Sequence, residues 1–336
     1  MSRRYDLCVV GAGPAGCAAA IFAAAEGASV CLIDRTEAPI DRPGETLHPG
    51  AEVLFEQLGV REAVKAAAFL RFDGITVRRD QGRRHELFGQ DQKGPWLGYQ
   101  APRRRLDAIL RKRASDLGVT SLFGADCLSP LRSGDRIVGV ETETGPIDAR
   151  FLVDATGGRQ WLARQLSLPV KTYSKSLIAH FGYAEVSLAD VSDRPSIEID
   201  SSGWTWSAQI TRGSLAWLRL AFDGRPPAAG WIPPRWRHLR PLGRIGRANV
   251  TWRRCMQPAG AGYFLCGDAN GVLDPSASRG VLKALASGIM AAHCALAACH
   301  SQRREEDVLR CFGQWSENWF LESLHGLKQS WVTQGV

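Results

Sequence analysis

A glycine-rich turn near the start of the chain limits what the chain can fold into. Gly11-Ala12-Gly13-Pro14-Ala15-Gly16 follows a β-rich run at 5–10 and opens an Ala-rich stretch at 15–26 that predicts a helix. In such a turn the first glycine permits the bend, the second admits a pyrophosphate, and the third allows close helix packing. Asp34 follows the next predicted strand, at 28–33, where a carboxylate can accept ribose hydroxyls. The sequence therefore predicts a βαβ unit that binds a dinucleotide through Gly11, Gly13, Pro14, Ala15, Gly16 and Asp34.

Composition excludes several classes of protein. The chain has 336 residues, 45% of them hydrophobic and 23% charged, which at about 150 residues per domain predicts two domains with a sizeable core. A small disulfide scaffold and bulk disorder are both excluded. The net charge is +8, and 35 of the 42 Lys and Arg residues are Arg, in runs no longer than Arg103-Arg104-Arg105. Short runs within patterned sequence favour a solvated basic surface, an anionic ligand or an acidic partner over nucleic acid.

Cysteine usage and hydropathy bear on the compartment. The nine cysteines lie mostly in apolar segments and form no C-x-x-C pair, as is typical of reduced thiols in the cytoplasm. Lys283 and His293 interrupt the best apolar run, 281–299, so we expect no membrane span. His and Cys residues show no metal-ligand spacing with carboxylates, so we expect no metal site.

Periodicity predicts an alternation of α/β and antiparallel segments. Beyond the βαβ unit we predict further elements, in chain order: helices at 49–68 and 103–117, a hairpin of 75–79 with 84–88 around a turn at 80–83, a β-meander at 119–153, antiparallel strands at 177–222, a connector at 225–241, a strand at 262–266, and helices at 280–299 and 304–327.

Two more segments carry a family resemblance. Phe151-Leu-Val-Asp-Ala-Thr-Gly-Gly158 and Tyr263-Phe-Leu-Cys-Gly-Asp-Ala269, the latter followed by Pro275 and Gly280, stand beside the glycine turn. Together they resemble FAD-dependent monooxygenases of the hydroxylase and tryptophan-halogenase superfamily. The resemblance implies that Asp268 binds the ribityl chain and that a helix N-terminus faces the flavin ring. Further implied FAD contacts are Arg35, Arg42, Glu45, Thr46, Arg103, Cys127, Ala155, Thr156, Gly157, Gly267, Pro275, Gly280 and Val281.

The same resemblance implies a mixed α/β fold. We expect a Rossmann-like FAD-binding domain of the glutathione-reductase/hydroxylase type with an inserted antiparallel β-sheet substrate domain. The FAD-binding domain is assigned residues 1–74, 99–170 and 245–300, the substrate domain 75–98 and 171–244, and a C-terminal helical segment 301–336.

Three departures separate the chain from flavin halogenases. Ala208-Gln209 stand where the halogenase signature after Trp204-x-Trp206 has Ile-Pro, no lysine lies between Lys65 and Lys93, and Ala277 replaces an expected glutamate. These departures therefore disfavour halogenation. The loop 42–49 and the segment 267–285 are instead similar to flavoprotein maturases of tryptophylquinone enzymes, of the lysine-oxidase, glycine-oxidase and quinohemoprotein amine dehydrogenase type.

Similarity to the maturases implies hydroxylation of a Trp side chain in a partner protein, an amine oxidase or dehydrogenase subunit. The reaction would proceed through a flavin C4a-hydroperoxide formed with molecular oxygen, with NAD(P)H or a separate flavin reductase as electron donor. Two alternatives stay open: a reductase of the geranylgeranyl-reductase type, and a non-catalytic flavin-binding partner protein.

Acid–base candidates follow from that chemistry. His48 and Asp274 could remove the ring proton, and Arg279 could orient the flavin or a substrate carbonyl. Each has a structural alternative: a loop histidine bonded to backbone, a helix cap before Pro275, and a surface arginine. Trp204, Trp206 and Trp217 could form an aromatic wall over the flavin or ordinary core.

Overall fold

The computed structural model describes residues 4–79, 82–187, 194–300 and 305–332. Within these ranges the chain forms seven α-helices: α1 Pro14–Ala25, α2 Ala51–Gln57, α3 Arg61–Ala66, α4 Arg103–Asp116, α5 Trp161–Gln165, α6 Gly280–His300 and α7 Glu305–Val332. The strands of its first half, in chain order, are β1 Tyr5–Val10, β2 Val30–Asp34, β3 Thr46–Leu47, β4 Leu70–Phe72, β5 Gly74–Arg79, β6 Gly82–Leu87, β7 Gln90–Asp91, β8 Gly94–Pro95, β9 Gly98–Gln100, β10 Thr120–Phe123, β11 Cys127–Ser133, β12 Arg136–Thr142 and β13 Gly145–Asp154. Those that follow are β14 Val170–Thr172, β15 Ile178–Glu185, β16 Ser196–Asp200, β17 Gly203–Thr211, β18 Ser214–Ala221, β19 Arg240–Asn249, β20 Arg253–Cys255, β21 Ala259–Gly260, β22 Tyr263–Leu265 and β23 Gly271–Val272.

A parallel sheet forms the centre of the fold. Strands β10, β2, β1, β13 and β22 lie side by side and parallel, and β12 and β11 extend the sheet antiparallel from the first half of β13. Residues 7–10 of β1 are buried, as expected for a parallel strand covered on both faces. Because parallel strands end at one edge, the segments after β1, β13 and β22 meet there.

Helices α1 and α6 cover one face of this sheet. They cross so closely that a Cβ built on Gly288 would lie 2.1 Å from the carbonyl oxygen of Ala15. Nine of the twelve α1 residues are buried, most of them Ala, because only small side chains fit between helices at that separation. The predicted mixed α/β fold is therefore confirmed.

The second sheet is mainly antiparallel. Its strand order is β19-β15-β18-β17-β16-β5-β6, with one parallel pair, β16 and β5. The face formed by alternate residues such as Trp204 and Leu220 packs against α7 through Phe320 and Leu324. The opposite face is covered by residues 231–239.

Several element predictions need correction. The helix predicted at 49–68 is two helices, α2 and α3, separated where Gly59 adopts a φ of +66°. Residues 120–123 form β10, which pairs parallel with β2 and does not belong to the meander. The connector predicted to 241 ends earlier, because β19 begins at Arg240. The turn predicted at 80–83 includes Asp80 and Gln81, which lie outside the described residues, as does the start of the predicted helix 304–327.

The assigned domain boundaries fall inside strands. The cuts at 74/75, 98/99, 170/171 and 244/245 divide β5, β9, β14 and β19 respectively. Short sheets of β3-β9-β4 and β14-β20-β23 join the two larger sheets along the chain. Turn-forming residues indicate where loops lie. The chain passes from one sheet to the other within regular strands, so sequence composition does not indicate these boundaries.

Helix α6 has a membrane-compatible length. Residues 280–299 have a mean hydropathy of 1.6, enough by length and composition to cross a membrane. In the fold the same helix packs in the core against α1, with Leu285, Ala291 and Ala292 fully buried. Its apolar character follows from this position between sheet and helices.

Candidate cofactor and active site

A cavity of about 800 Å³ lies where the carboxyl ends of the parallel strands face the antiparallel sheet. Most residues predicted for cofactor binding line it: Gly11, Gly13, Pro14, Ala15, Asp34, Arg35, Arg42, Glu45, Thr46, Arg103, Cys127, Ala155, Thr156, Gly157, Gly267, Asp268, Pro275, Gly280 and Val281. The proposed catalytic residues Asp274 and Arg279 line it as well. Gly16 and His48 are not among the described residues that line the cavity.

Two glycines of the turn are required for packing of the backbone, and a third faces the cavity. Gly11 has a φ of +103°, and a Cβ there would lie 2.5 Å from the Ala155 carbonyl oxygen. A Cβ on Gly16 would lie 1.7 Å from the Gly11 oxygen. These two positions close the turn onto the sheet, whereas a Cβ on Gly13 would meet only Arg42 Nη2, at 3.1 Å. Gly13 therefore presents backbone to the cavity opposite a guanidinium, which fits a pyrophosphate.

Two arginines share one buried carboxylate beside that turn. Asp107 Oδ2 lies 2.8 Å from Arg42 Nη2 and 3.1 Å from Arg103 Nη2, and Arg103 also donates to the Pro43 carbonyl at 3.2 Å. One carboxylate against two guanidinium groups leaves a net positive charge at the cavity wall. Asp107 fixes both arginines toward an anion, and its spacing of four residues from Arg103 on α4 is the sequence signal for it.

Asp34 is held as a carboxylate by four contacts. Its Oδ2 accepts the Ala12 N–H at 2.6 Å and lies 3.3 Å from Arg111 Nη2, and its Oδ1 accepts the Thr36 N–H and hydroxyl at 2.8 and 2.6 Å. Burial alone would raise its pKa, but these hydrogen bonds and the Arg111 charge outweigh burial and hold the pKa below its usual range. An ionised acceptor at this strand end fits a ribose hydroxyl.

Arg111 continues the charged face of α4. It is buried, donates to the Thr36 and Glu37 carbonyls at 3.1 and 3.2 Å, and stacks over Phe123 at 4.4 Å. Sequence reasoning missed it, although Arg103, Asp107 and Arg111 repeat at four-residue intervals on one helix face. That spacing is the signal that would have found this charged stripe.

The loop before α6 shapes the opposite wall. Asp274 Oδ1 accepts the Ser276 N–H at 2.8 Å, so this carboxyl caps the short helical turn 275–277. Ser278 adopts a left-handed φ of +50°, after which Arg279 and the N-terminus of α6 line the cavity. The arrangement fits an electron-rich ring at the positive end of a helix.

His48 is bound within its own loop. Its Nδ1 accepts the Gly50 N–H at 3.1 Å, and its ring packs edge-on against Phe88 at 5.1 Å. Burial lowers its pKa, and the Arg279 charge lowers it further, so the imidazole is neutral near pH 7. These contacts match the structural alternative for this residue.

Two further basic residues on the wall escaped the sequence reading. Arg253 donates to Gln160 Oε1 at 2.9 Å and to the Gly158 carbonyl at 3.1 Å, which ties β20 to the turn after β13. Lys283 donates to the Gly271 carbonyl, and burial lowers its pKa while Asp268 partly opposes that change. Lys283 lies outside the interval between Lys65 and Lys93 in which a halogenase lysine is expected.

Aromatic side chains close the cavity on the side of the antiparallel sheet. Trp204 and Trp206 are two residues apart on β17, so both lie on the same face of the sheet, where they pack with α7. Trp217 lies on the opposite face against Trp231, at 4.9 Å, and its ring lies directly over Gly182, whose missing side chain makes room for it. Trp204 and Trp206 line the cavity together with Phe181, Tyr183, Leu218 and Trp319. Trp217 borders the cavity too, but its ring packs on the opposite face of the sheet.

The described part of the chain contains no cluster of side chains suited to bind a metal ion. There, no group of three or more His, Cys, Asp or Glu side chains could hold an ion. All nine cysteines are free thiols, and burial raises the pKa of Cys127, on the cavity wall, to about 12.

Comparison with known proteins places this geometry in a family. The sequence profile described as "FAD binding domain" matches residues 4–228. The tryptophan 2-halogenase of Chondromyces crocatus is 28% identical over 315 residues, covering 84% of this chain and 59% of that protein. The menaquinone reductase of Mycobacterium tuberculosis is 29% identical over 317 residues, covering 85% and 75%. The chain therefore spans about three fifths of the first relative's length.

Solved structures share the fold. The myxobacterial chondrochloren halogenase has a TM-score of 0.85 at 22% identity, covering 95% of this chain and 81% of that chain. A geranylgeranyl bacteriochlorophyll reductase-like protein from Thermoplasma acidophilum has a TM-score of 0.81 at 20% identity, covering 100% and 88%. Halogenases and reductases thus share this architecture, and the expectation against halogenation stays a prediction.

Proposed function

Because the chain belongs to the FAD binding domain family, we propose that this FAD-dependent oxidoreductase is a monooxygenase that hydroxylates the indole of a Trp residue in a partner protein. The observation that carries the proposal is the aromatic wall of Phe181, Trp204, Trp206 and Trp319, which faces the cofactor side of one continuous cavity. Flat apolar walls suit an aromatic substrate, which gains from offset and edge-on ring contacts.

The residues of the cofactor half fit FAD in their donor chemistry. Gly13, Arg42 and Arg103 would hold the pyrophosphate, and Asp34 would hold the adenosine ribose. Asp268 would hold the ribityl chain, and the α6 N-terminus would face the pyrimidine edge of the ring. When bound, FAD supplies the two-electron chemistry that activates oxygen.

The substrate half has two tasks, exclusion of water and orientation of the ring. Trp204 and Phe320 are almost fully buried in one apolar cluster, so they form a packed layer behind the rings that line the cavity. A dry site strengthens every polar contact within it. An electron-rich indole needs orientation more than activation, which suits a wall made mostly of rings.

Oxygen consumption by the purified holoenzyme tests this function. We expect NAD(P)H-dependent or reductase-dependent oxygen uptake only when a Trp-containing amine oxidase or dehydrogenase subunit is present, with one oxygen atom added to that Trp by mass spectrometry. Oxygen-independent turnover of a polyprenyl quinone would favour a reductase, as the menaquinone reductase relative suggests. Halide incorporation would favour a halogenase, and flavin binding without turnover would favour a binding protein.

Two accompanying proposals concern partner and compartment. We propose that the partner is an acidic protein, which the net charge of +8 supports. We also propose a cytoplasmic location, which nine free cysteines support.

A further inference from the structure

We propose that Tyr183 and Glu45 form the proton-transfer pair of this cavity, with the Tyr183 hydroxyl facing the substrate and Glu45 taking the proton behind it. The inference deepens the proposed function and rests on it, since it requires an aromatic substrate that releases a proton in the cavity.

The pair joins the two halves of the site. Tyr183 Oη donates to Glu45 Oε1 at 2.7 Å, and both residues line the cavity. Glu45 lies in the loop beside the glycine turn and is only 6% exposed. Tyr183 lies on β15, on the sheet that carries the aromatic wall. The hydrogen bond therefore links the cofactor-side loop to the substrate-side sheet.

The charges around Glu45 leave its proton affinity high. Arg103, from α4, is the cation facing it, but that guanidinium already pairs with Asp107. Asp41, in the same loop, adds a negative charge that acts on Tyr183. Burial raises the pKa of Glu45, against the opposing effects of the Tyr183 hydrogen bond and Arg103. A carboxyl in such a setting holds its proton at a higher pH than an ordinary glutamate does.

A second tyrosine–glutamate pair in the same chain shows the contrast. Tyr99 contacts Glu52, but Glu52 lies 3.2 Å from Arg61 Nε and 3.5 Å from Arg71 Nη2. Burial would raise the pKa of Glu52, yet the bonds from Tyr99 and Arg61 and the two arginine charges lower it. Neither Tyr99 nor Glu52 is among the described residues of the cavity wall. The two pairs share their chemistry and differ in charge and place.

The other acid–base candidates are already engaged. His48 Nδ1 accepts a backbone N–H outside the cavity wall, and Asp274 Oδ1 caps a helical turn. Tyr183 instead lines the cavity, and its hydroxyl donates to the Glu45 carboxylate.

The step moves one proton and no electrons. When oxygen has been transferred, the substituted ring carbon loses its proton to Tyr183 Oη as the Tyr183 proton passes to Glu45 Oε1. The ring regains its aromatic electron pair from the broken C–H bond, tyrosine is unchanged, and the Glu45 carboxylate becomes a carboxylic acid. Glu45 then releases its proton to solvent when the product leaves.

Infrared spectroscopy of the protein without FAD tests the proton affinity of the pair. As the pH is lowered, we expect the carbonyl stretch of a protonated carboxylic acid to appear at a higher pH than an ordinary glutamate would give, since burial raises the pKa of Glu45. This band should be lost in Glu45→Gln and shifted in Tyr183→Phe. The matched control Glu52→Gln should leave this band intact. A band that persists unchanged in Glu45→Gln would overturn the proposal.

Steady-state kinetics of the holoenzyme test the transfer itself. Tyr183→Phe and Glu45→Gln should each lower kcat by about 10²-fold with little change in KM, since the pair acts only in the transition state. Glu45→Gln should also abolish one limb of the pH profile, while Glu52→Gln keeps both. A pH profile of Glu45→Gln identical to that of the wild type would overturn the proposal. If the proposed function fails, no variant hydroxylates Trp, yet the infrared result still stands on its own.

Discussion

At the scale of single residues, the cavity is organised by charges that the core-facing side of α4 carries into the interior. Asp107 is 1% exposed and Arg103 is 7% exposed, and these buried charges are tolerated because each satisfies the other. The next residue along, Arg104, points outward and pairs with Asp41 at 3.1 Å. Neighbours in sequence thus have opposite roles.

Replacement of Arg103 by alanine should weaken FAD binding. Loss of a charged hydrogen bond costs about 1.5–3 kcal/mol, so the Kd from flavin fluorescence titration should rise by about 10- to 100-fold. Arg104→Ala, at an exposed pair, is the matched control and should bind FAD as the wild type does. Equal weakening in both variants would contradict a specific role for Arg103.

Glu45 should also leave a mark on stability as a function of pH. Its folded pKa is raised above its ordinary value of 4.5 by burial. As pH rises through that value the unfolded chain releases its proton first, so the free energy of unfolding falls until Glu45 ionises in the folded state, by at most about 1.4 kcal/mol per pH unit. Denaturant titrations should show that Glu45→Gln removes this fall.

Glu52→Gln supplies the opposite sign as a control. The pKa of Glu52 is lowered, so the stability that it contributes is present above its ordinary pKa of 4.5 and lost as pH falls. If the free energy of unfolding depended on pH identically in Glu45→Gln and Glu52→Gln, the raised pKa of Glu45 would be contradicted.

At the scale of elements, the crossing of α1 and α6 sets how close the glycine turn and the third FAD segment can lie. Gly288 faces the Ala15 backbone at a distance that leaves no room for a methyl group, whereas Gly313 in α7 has open space around it. The two helical glycines therefore form a matched pair.

Gly288→Ala should destabilise the protein and Gly313→Ala should stabilise it. Overpacking at the crossing costs about 1–3 kcal/mol, while an unhindered Gly-to-Ala change in a helix gains up to about 1 kcal/mol. Thermal unfolding of both variants measures the difference. A stabilised Gly288→Ala variant would show that the helices separate readily.

The elements also show what sequence can predict. The turn at Gly11, the helix α4 and the strand β22 follow from local patterns and are confirmed. Pairing partners are not local: β10 joins β2, and β5 joins β16 across more than a hundred residues. For the same reason Tyr183, Arg253 and Lys283 escaped prediction, because each reaches the cavity through tertiary packing and carries no motif.

At the scale of the whole molecule, the excess positive charge gathers locally. Arg78 pairs in register with Arg83 on the β5–β6 hairpin, and Arg235 stacks over Trp236 at 4.8 Å. Glu198 is the carboxylate nearby, 4.0 Å from Arg235. Burial lowers the pKa of Arg235, as do the charges of Arg78 and Arg83. Three arginines against one glutamate suit an acidic surface on the proposed partner.

Charge reversal on this hairpin should slow association with that partner. Arg83→Glu should lower the association rate at low salt and flatten its salt dependence, since exposed charges act mainly on encounter and are screened within about 8–10 Å. Arg310→Glu on α7, an exposed arginine paired with Asp307, is the control for net charge. Equal slowing by both variants in surface plasmon resonance would show that total charge, not this cluster, steers the encounter.

The packing of α6 on α1 also sets the order in which the parts of the cofactor site become available during synthesis. In chain order β1 and α1 precede β22 and α6, their neighbours in the sheet and the helix layer, by more than two hundred residues. Until β22 and α6 are synthesised, the alanine face of α1 is bare and the edge of β13 is open, surfaces that favour misassociation. A cofactor site that needs both segments is complete only after α6 has been synthesised, so we expect a nascent chain halted within β19 to contain the glycine turn and bind no flavin.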